Sequence, residues 1–366
     1  MKLWAIAFFV LPLLGAGYVS WRIWHLLPWG SVVSSLAVAL VWLGLAVMIG
    51  NFVVGLDKVP LAIAKMLYEI GNSWIFILLY LVMLFLLIDV ARLVHLLPRS
   101  LTEHSWQGTL AVAVLMVGIF VYGNIHYKDK KIVEFKALAK NLAGNGEGKD
   151  VRTIVMMSDL HLGYHNDRKE FARWVDMINA QNPDLILIAG DIIDISVRPL
   201  IEEKVSEEFK RLKAPVYACL GNHEYYSGEP KAQRFYKDAG INLLQDSVAV
   251  VGNLCIIGRD DRSNPHRESL GRLMKKADTT RYTILLDHQP YYLEQAEKAG
   301  IDFQFSGHTH HGQVWPISWI TEAIYEKAFG EHQRGNTRYY VSSGLGIWGG
   351  KFRIGTQSEM VVMKFE

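Results

Sequence analysis

At 366 residues the chain is long enough for two or three folding units, and 51% of it is hydrophobic against 20% charged. Its 38 Lys and Arg nearly balance 36 Asp and Glu, leaving a formal charge of +2. That balance excludes a nucleic-acid binder working through a broad basic face, and nothing in the composition calls for an obligate protein partner. The charge is unevenly laid, with 12 basic and 8 acidic residues in 1–150 and 26 against 28 in 151–366.

In chain order, four apolar runs come first: Leu3–Ser20, Ser31–Leu56, Trp74–Leu97 and Gly108–Tyr127. Each approaches the roughly 20 helical residues that a bilayer requires. A single lysine precedes the first run and no small-x-small site follows it, so it is read as an anchor rather than a cleaved leader. Trp4, Trp21, Trp24, Trp29, Trp74 and Trp106 fall near run ends, where interfacial tryptophans gather. Residues 1–127 are thus expected to form a four-span helical membrane domain. Lys2, Lys58, Lys65, Lys128, Lys130, Lys131, Lys136 and Lys140 fall on one side, against Arg22, Arg92 and Arg99 on the other. The bias predicts a cytoplasmic C-terminal domain. Asp89 and Arg92, one helical turn apart, are expected to pair with each other.

Residues 128–150 read as a basic and Gly-rich linker ending in "NLAGNGEGKD". From Val151 to Glu366 a different pattern recurs, in which a short apolar run ends in a polar cluster and a helix-period segment follows. "VRTIVMMSDLH" ends at Asp159 and His161, "PDLILIAGDIID" at Asp191 and Asp194, and "APVYACLGNHEYY" at Asn222, His223 and Glu224. "YTILLDHQP" ends at His288 and "IDFQFSGHTHHG" at His308 and His310. Strands alternating with helices predict an α/β domain, with functional groups beyond the strands' carboxyl ends. Five strand exits would then deliver a set of N and O donors to one rim, enough for two metal ions. Cys219 and Cys255 sit alone within apolar runs and are expected in the core.

In "SDLHLG", "GDIID", "GNHEYY", "LLDHQP" and "SGHTHHGQV", taken in this order, the second part of the chain resembles the calcineurin-like metallophosphoesterases. The resemblance implies two mixed β-sheets sandwiched between helices. It implies one divalent ion on Asp159, His161, Asp191 and His310, and a second on Asp191, Asn222, His288 and His308, with Asp191 bridging. It further implies His223 as the catalytic histidine and Asp194 as the carboxylate that orients it, with an activated water as the nucleophile. The N and O donor set, free of thiolate, suits Mn first, with Fe or Zn as alternatives. His311 is read as pocket wall and Glu224 as support for the ligand loops.

Ile195 stands where the protein-phosphatase branch has an arginine, which argues against a protein substrate. The texture is similar to bacterial membrane-associated members such as the UDP-2,3-diacylglucosamine pyrophosphatases. A lipid-linked phosphoester at the inner membrane, in contact with membrane lipid, is the expected substrate; a broad phosphodiesterase or a non-catalytic metal-binding module is the alternative. The aromatic segment from Trp315 to Phe329 is either a lipid-facing gate or core. Arg259, Asp260, Asp261 and Arg262 either contact a head group or form an ordinary charged loop.

Overall fold

A computed structural model describes residues 3–137 and 150–365, with side chains from residue 10 onward. The chain divides into two units, residues 1–125 with 349–352, and residues 126–348 with 353–366.

The first unit is built on four long helices, Leu3–Leu26, Gly30–Val53, Leu61–Leu93 and Trp106–Lys128, the last of which ends in the second unit. Among the described residues three of these, Gly30–Val53, Leu61–Leu93 and Trp106–Lys128, are long and apolar enough to cross a membrane. Four spans were expected. The remaining run, Leu3–Ser20, does fold into a helix, but its first side chains lie outside the described residues. The helix holding the third run starts at Leu61 rather than Trp74. Trp74 is therefore mid-helix, with its indole against Gly44, where a Cβ would come within 2.4 Å of the ring. Asp89 accepts a hydrogen bond from the Tyr18 hydroxyl at 2.5 Å and lies 3.4 Å from Arg22. Arg92 pairs with Asp89 at 3.9 Å, as expected, and bonds Glu103 more closely, so helix packing adds partners to the expected pair.

Among the described residues the second unit contains twelve strands. They are β1 (Lys130–Ala137), β2 (Thr153–Met157), β3 (Leu185–Ala189), β4 (Val216–Cys219), β5 (Asn242–Leu243), β6 (Ser247–Val251), β7 (Leu254–Gly258), β8 (Tyr282–Leu286), β9 (Phe303–Ser306), β10 (Gly330–Arg334), β11 (Thr337–Val341) and β12 (Ser358–Phe365). One sheet runs β1-β12-β2-β3-β4-β5 and the other β10-β11-β9-β8-β7-β6. Both are mixed. β2, β3 and β4 are parallel while β12 is antiparallel to β2, and β7, β8 and β9 are parallel while β6 is antiparallel to β7.

Side-chain alternation explains the layering. Leu185, Leu187 and Ala189 of β3 enter the core shared with Ile256, Ile284, Phe303 and Phe305 of the other sheet. Ile186 and Ile188 enter a separate core with Phe171 and Trp174 of helix Arg168–Asn179. On the far side, Ile257 and Leu285 pack with Leu270, Leu273 and Ala296. Strands buried on both faces read as unbroken apolar runs, as β3 does. Cys219 and Cys255 are buried and free.

One boundary differs from the sequence reading. Residues 130–137, taken as the front of a linker, form β1 and pair in parallel with β12 across all eight positions. Their alternation accounts for it, since Phe135 and Ala137 are buried while Glu134 and Lys136 are exposed. The glycine-rich remainder, 138–149, lies outside the described residues.

Candidate metal centre

The parallel strands end side by side, so the loops leaving β2, β3, β4, β8 and β9 converge. Backbone bonds lock them together: the Asp159 amide donates to the Gly190 carbonyl at 3.1 Å and the His161 amide to the Asp191 carbonyl at 3.0 Å. The Gly307 amide reaches the His288 carbonyl at 2.9 Å, and the His308 amide reaches both Asp159 carboxylate oxygens at 3.1 Å.

All nine residues singled out from the sequence meet here. Asp159, His161 and His310 form one group of potential ligand atoms within 4.8 Å of one another, and Asp191, His288 and His308 form another. Asp191 joins them, its Oδ2 lying 3.1 Å from His288 Nε2 and 3.7 Å from His161 Nε2. Asn222 Oδ1 lies 3.2 Å from His288 Nε2. A third group holds His161, Asp194 and His223, with Asp194 Oδ1 at 3.2 Å from His161 Nδ1 and 3.3 Å from His223 Nδ1.

The backbone is shaped for these side chains. Asp159, His161, Asp191, His308 and His310 all have positive φ, between 44° and 71°. A non-glycine residue pays for that conformation, and such strain concentrates at functional sites. Glycines make the close approaches possible. A Cβ on Gly221 would lie 2.2 Å from Asp191 Oδ1, and one on Gly307 would lie 2.3 Å from Asp159 Oδ2.

Electrostatics follow from burial opposed by contact. Burial alone would raise Asp159, Asp191 and Asp194, yet the surrounding imidazoles hold all three below the usual carboxylate range. Burial would lower His161, but its contacts with Asp159 and Asp194 raise it to about 10. His288 is raised as well, burial being outweighed by Asp191. Burial, with His288 nearby, lowers His308 to about 4, and burial also lowers His310, whose Nδ1 has no hydrogen-bond partner. Several anionic oxygens facing imidazole nitrogens, one of them buried and unpartnered, fit a divalent cation well.

Supporting residues surround these candidate ligands. Glu224 accepts from the amides of Gly221, Asp191 and Ile193 at 2.7, 3.0 and 2.9 Å, tying the β3 and β4 loops together. His311 stands outside the ligand groups, stacked on Phe329 at 4.6 Å and 2.9 Å from Glu322.

Two contributors were not legible beforehand. Ser158 donates to Asp159 Oδ2 at 2.5 Å. Arg353, fully buried, donates to the His310 carbonyl at 2.6 Å and to the carbonyls of Ser343, Gly344 and Gly346. Ser158 opens the motif "SDLHLG" but was given no role, and Arg353 has no periodic or motif signal, since a buried arginine satisfied by carbonyls depends on loops distant in sequence.

Glu359, buried beside this arginine, accepts from the Tyr340 hydroxyl and the Ser343 amide. Burial, only partly offset by those donors and by Arg353, raises its pKa from 4.5 to about 7. Between pH 4.5 and 7 the folded chain therefore holds a proton that the unfolded chain has released, so this group lowers stability as pH rises through that window. The loss amounts to about 3 kcal/mol above pH 7. Glu359→Gln should therefore raise Tm relative to wild type more at pH 8 than at pH 5. A difference that does not change with pH would contradict this.

Residues 152–312 match the family model for the calcineurin-like phosphoesterases. An uncharacterized metallophosphoesterase of Aquifex aeolicus is 30% identical over 231 residues, covering 59% of this chain and 85% of that protein. The chain belongs to the calcineurin-like metallophosphoesterases. An uncharacterized member from Campylobacter jejuni is 31% identical over 226 residues, 60% of each chain, so the match spans less than two thirds of that relative's length. A Danio rerio transmembrane protein with a metallophosphoesterase domain is 28% identical over 316 residues, covering 78% of this chain and 71% of that protein.

Proposed function

We propose that this metallophosphoesterase is a membrane-held phosphohydrolase cleaving a phosphodiester or pyrophosphate bond. The observation that carries the reading is the single Asp191 carboxylate shared between a buried ligand group and a largely buried one. In this reading Asp159, His161, Asp191 and His310 hold one ion, and Asp191, Asn222, His288 and His308 hold the other. When bound, two divalent ions supply Lewis-acid polarisation of the phosphoryl oxygens and an activated water for in-line displacement. The oxygen and imidazole donors favour Mn, then Fe or Zn.

The chain's own part is orientation and proton delivery. His223 is only partly buried, and Asp194 engages its Nδ1, through both the carboxylate and the backbone carbonyl at 3.3 Å. That contact fixes the ring and leaves Nε2 to hydrogen-bond a phosphoryl or leaving oxygen. Its amide also donates to Asp191 Oδ1 at 2.9 Å, so the histidine and the shared carboxylate move together.

For the substrate we infer a lipid-linked phosphoester, such as UDP-2,3-diacylglucosamine, met at the cytoplasmic face of the inner membrane. Helix Ile317–Ile324 supports this choice. Trp315, Trp319, Ile320 and Ile324 are 39, 62, 56 and 50% exposed, an apolar surface of the kind that lies on lipid. On the inner side, Tyr325 places its ring 6.3 Å from that of His308. The same short segment thus joins an apolar exterior to the ligand cluster.

The test is hydrolysis by the full chain in Mn, with UDP-diacylglucosamine in vesicles and bis-p-nitrophenyl phosphate in solution. Wild type should turn over both. The Trp315→Ala, Trp319→Ala double variant should lose about tenfold or more on the vesicle substrate, from the buried area of two indoles, and keep its rate on the soluble ester. Turnover of the soluble ester alone by wild type would replace the lipid assignment with broad phosphodiesterase activity. Equal losses on both substrates would remove the lipid-facing role.

A further inference from the structure

The loop after β7 carries three arginines that differ in how their charge is used. Arg259 and Arg267 both reach Asp287, each at 3.2 Å. Among the described residues Arg262 makes no hydrogen bond or ion pair; its guanidinium carbon instead lies 4.2 Å from the Tyr291 ring centre and 5.0 Å from that of Tyr292. The residue is half-buried, and its Nη1 is shut off from solvent without a partner. An unpaired guanidinium nitrogen kept from water is costly, so the stack on the two tyrosines holds the group at the expense of Nη1, and the other guanidinium nitrogens are the donors open to a ligand.

The neighbouring aspartates do not supply that partner. Asp260 accepts from Tyr225, Gln245 and Asn264 at 2.8, 3.0 and 2.8 Å. Asp261 is held by the Gln289 side chain at 2.9 Å and by the Ser263 amide at 2.8 Å. Both carboxylates take their hydrogen bonds from neutral donors, and neither bonds the Arg262 guanidinium.

Two independent tethers fix this arginine beside the candidate metal centre. Gln289, which holds Asp261, directly follows His288 in the chain. Tyr291 donates its hydroxyl to that of Tyr325 at 3.1 Å, with their rings 4.8 Å apart, and Tyr325 faces His308 at 6.3 Å. A cation stacked on a rigid aromatic pad is ordered in advance, so little conformational entropy is lost when it binds an anion.

We propose that Arg262, held on Tyr291 and Tyr292 beside the Tyr325–His308 contact, binds a second phosphoryl group, so that the site is built for substrates with two linked phosphoryl groups. This rests on the phosphohydrolase reading for the first group and narrows the substrate class to pyrophosphate diesters such as nucleoside diphosphate conjugates. The arginine's fork suits two oxygens of one phosphoryl.

The test is calorimetric binding to the Mn-loaded full chain in detergent, with α,β-methylene-ADP carrying two phosphoryl groups and AMP carrying one. Arg262→Gln should weaken α,β-methylene-ADP by about tenfold or more, the scale of one charged hydrogen-bond pair, and leave AMP within about twofold. Arg262→Lys, which keeps the charge but loses the fork, should fall between. Equal weakening of both ligands, or of neither, would overturn the assignment. If the selective loss is seen while wild type fails to hydrolyse bis-p-nitrophenyl phosphate, the second phosphoryl position stands and the hydrolase reading falls.

Discussion

Asp191→Asn is expected to lower kcat/KM on bis-p-nitrophenyl phosphate by about 10³-fold or more and to reduce the bound metal from two ions to one or none. The reason is its position. The carboxylate is buried, its Oδ2 points at both His288 and His161, and its Oδ1 accepts from the His223 amide. Asparagine keeps the shape, and the Asp191 amide stays with Glu224, so the fold should survive. What is lost is the negative charge that two cations would share. A variant retaining two ions and wild-type turnover would remove Asp191 from the bridging position.

Replacing His223 should separate chemistry from metal binding. Its side chain contacts Asp194 and the rings of His161 and Tyr226, its amide would still reach the Asp191 carboxylate in an alanine variant, and the ring can leave without opening either ligand group. His223→Ala should therefore keep both ions. On a diester with an alkyl leaving group, which needs a proton as it departs, kcat should fall by about 10²- to 10⁴-fold. With a p-nitrophenolate leaving group the loss should be smaller, because that oxygen departs without protonation. Equal losses on both esters would assign the histidine to phosphoryl-oxygen binding alone, and loss of metal would place it among the ligands.

The site was legible for a specific reason. Parallel strands buried on both faces leave unbroken apolar runs in the sequence, and such runs show where each strand stops, as "LILIA" does just before Gly190 and Asp191. Candidate ligands placed one to a few residues beyond those stops are found by local reading, so Asp159, Asn222, His288 and His308 could be named. Contacts that join distant segments could not. β1 pairs with β12 although some 230 residues separate them, and a short basic alternation such as "KKIVEFKA" looks like a linker until its partner is known. Arg353 was hidden in the same way, since its role lies in the carbonyls of the His310 and Ser343–Gly346 loops. In the membrane helices, composition gave the runs, but it could not tell that Asp89 would take Tyr18 and Arg22 from another helix. Helix ends were similarly obscure, because Leu61–Ser73 is polar enough to pass for a loop yet continues the helix.

The most direct measurement of the central claim is the metal content of the purified full chain, paired with its turnover of bis-p-nitrophenyl phosphate before and after chelation. Two divalent ions per chain are expected, with loss of turnover when they are stripped and recovery when Mn is returned. Undiminished turnover by the stripped protein, or a chain that holds two ions and hydrolyses no phosphoester, would contradict that claim.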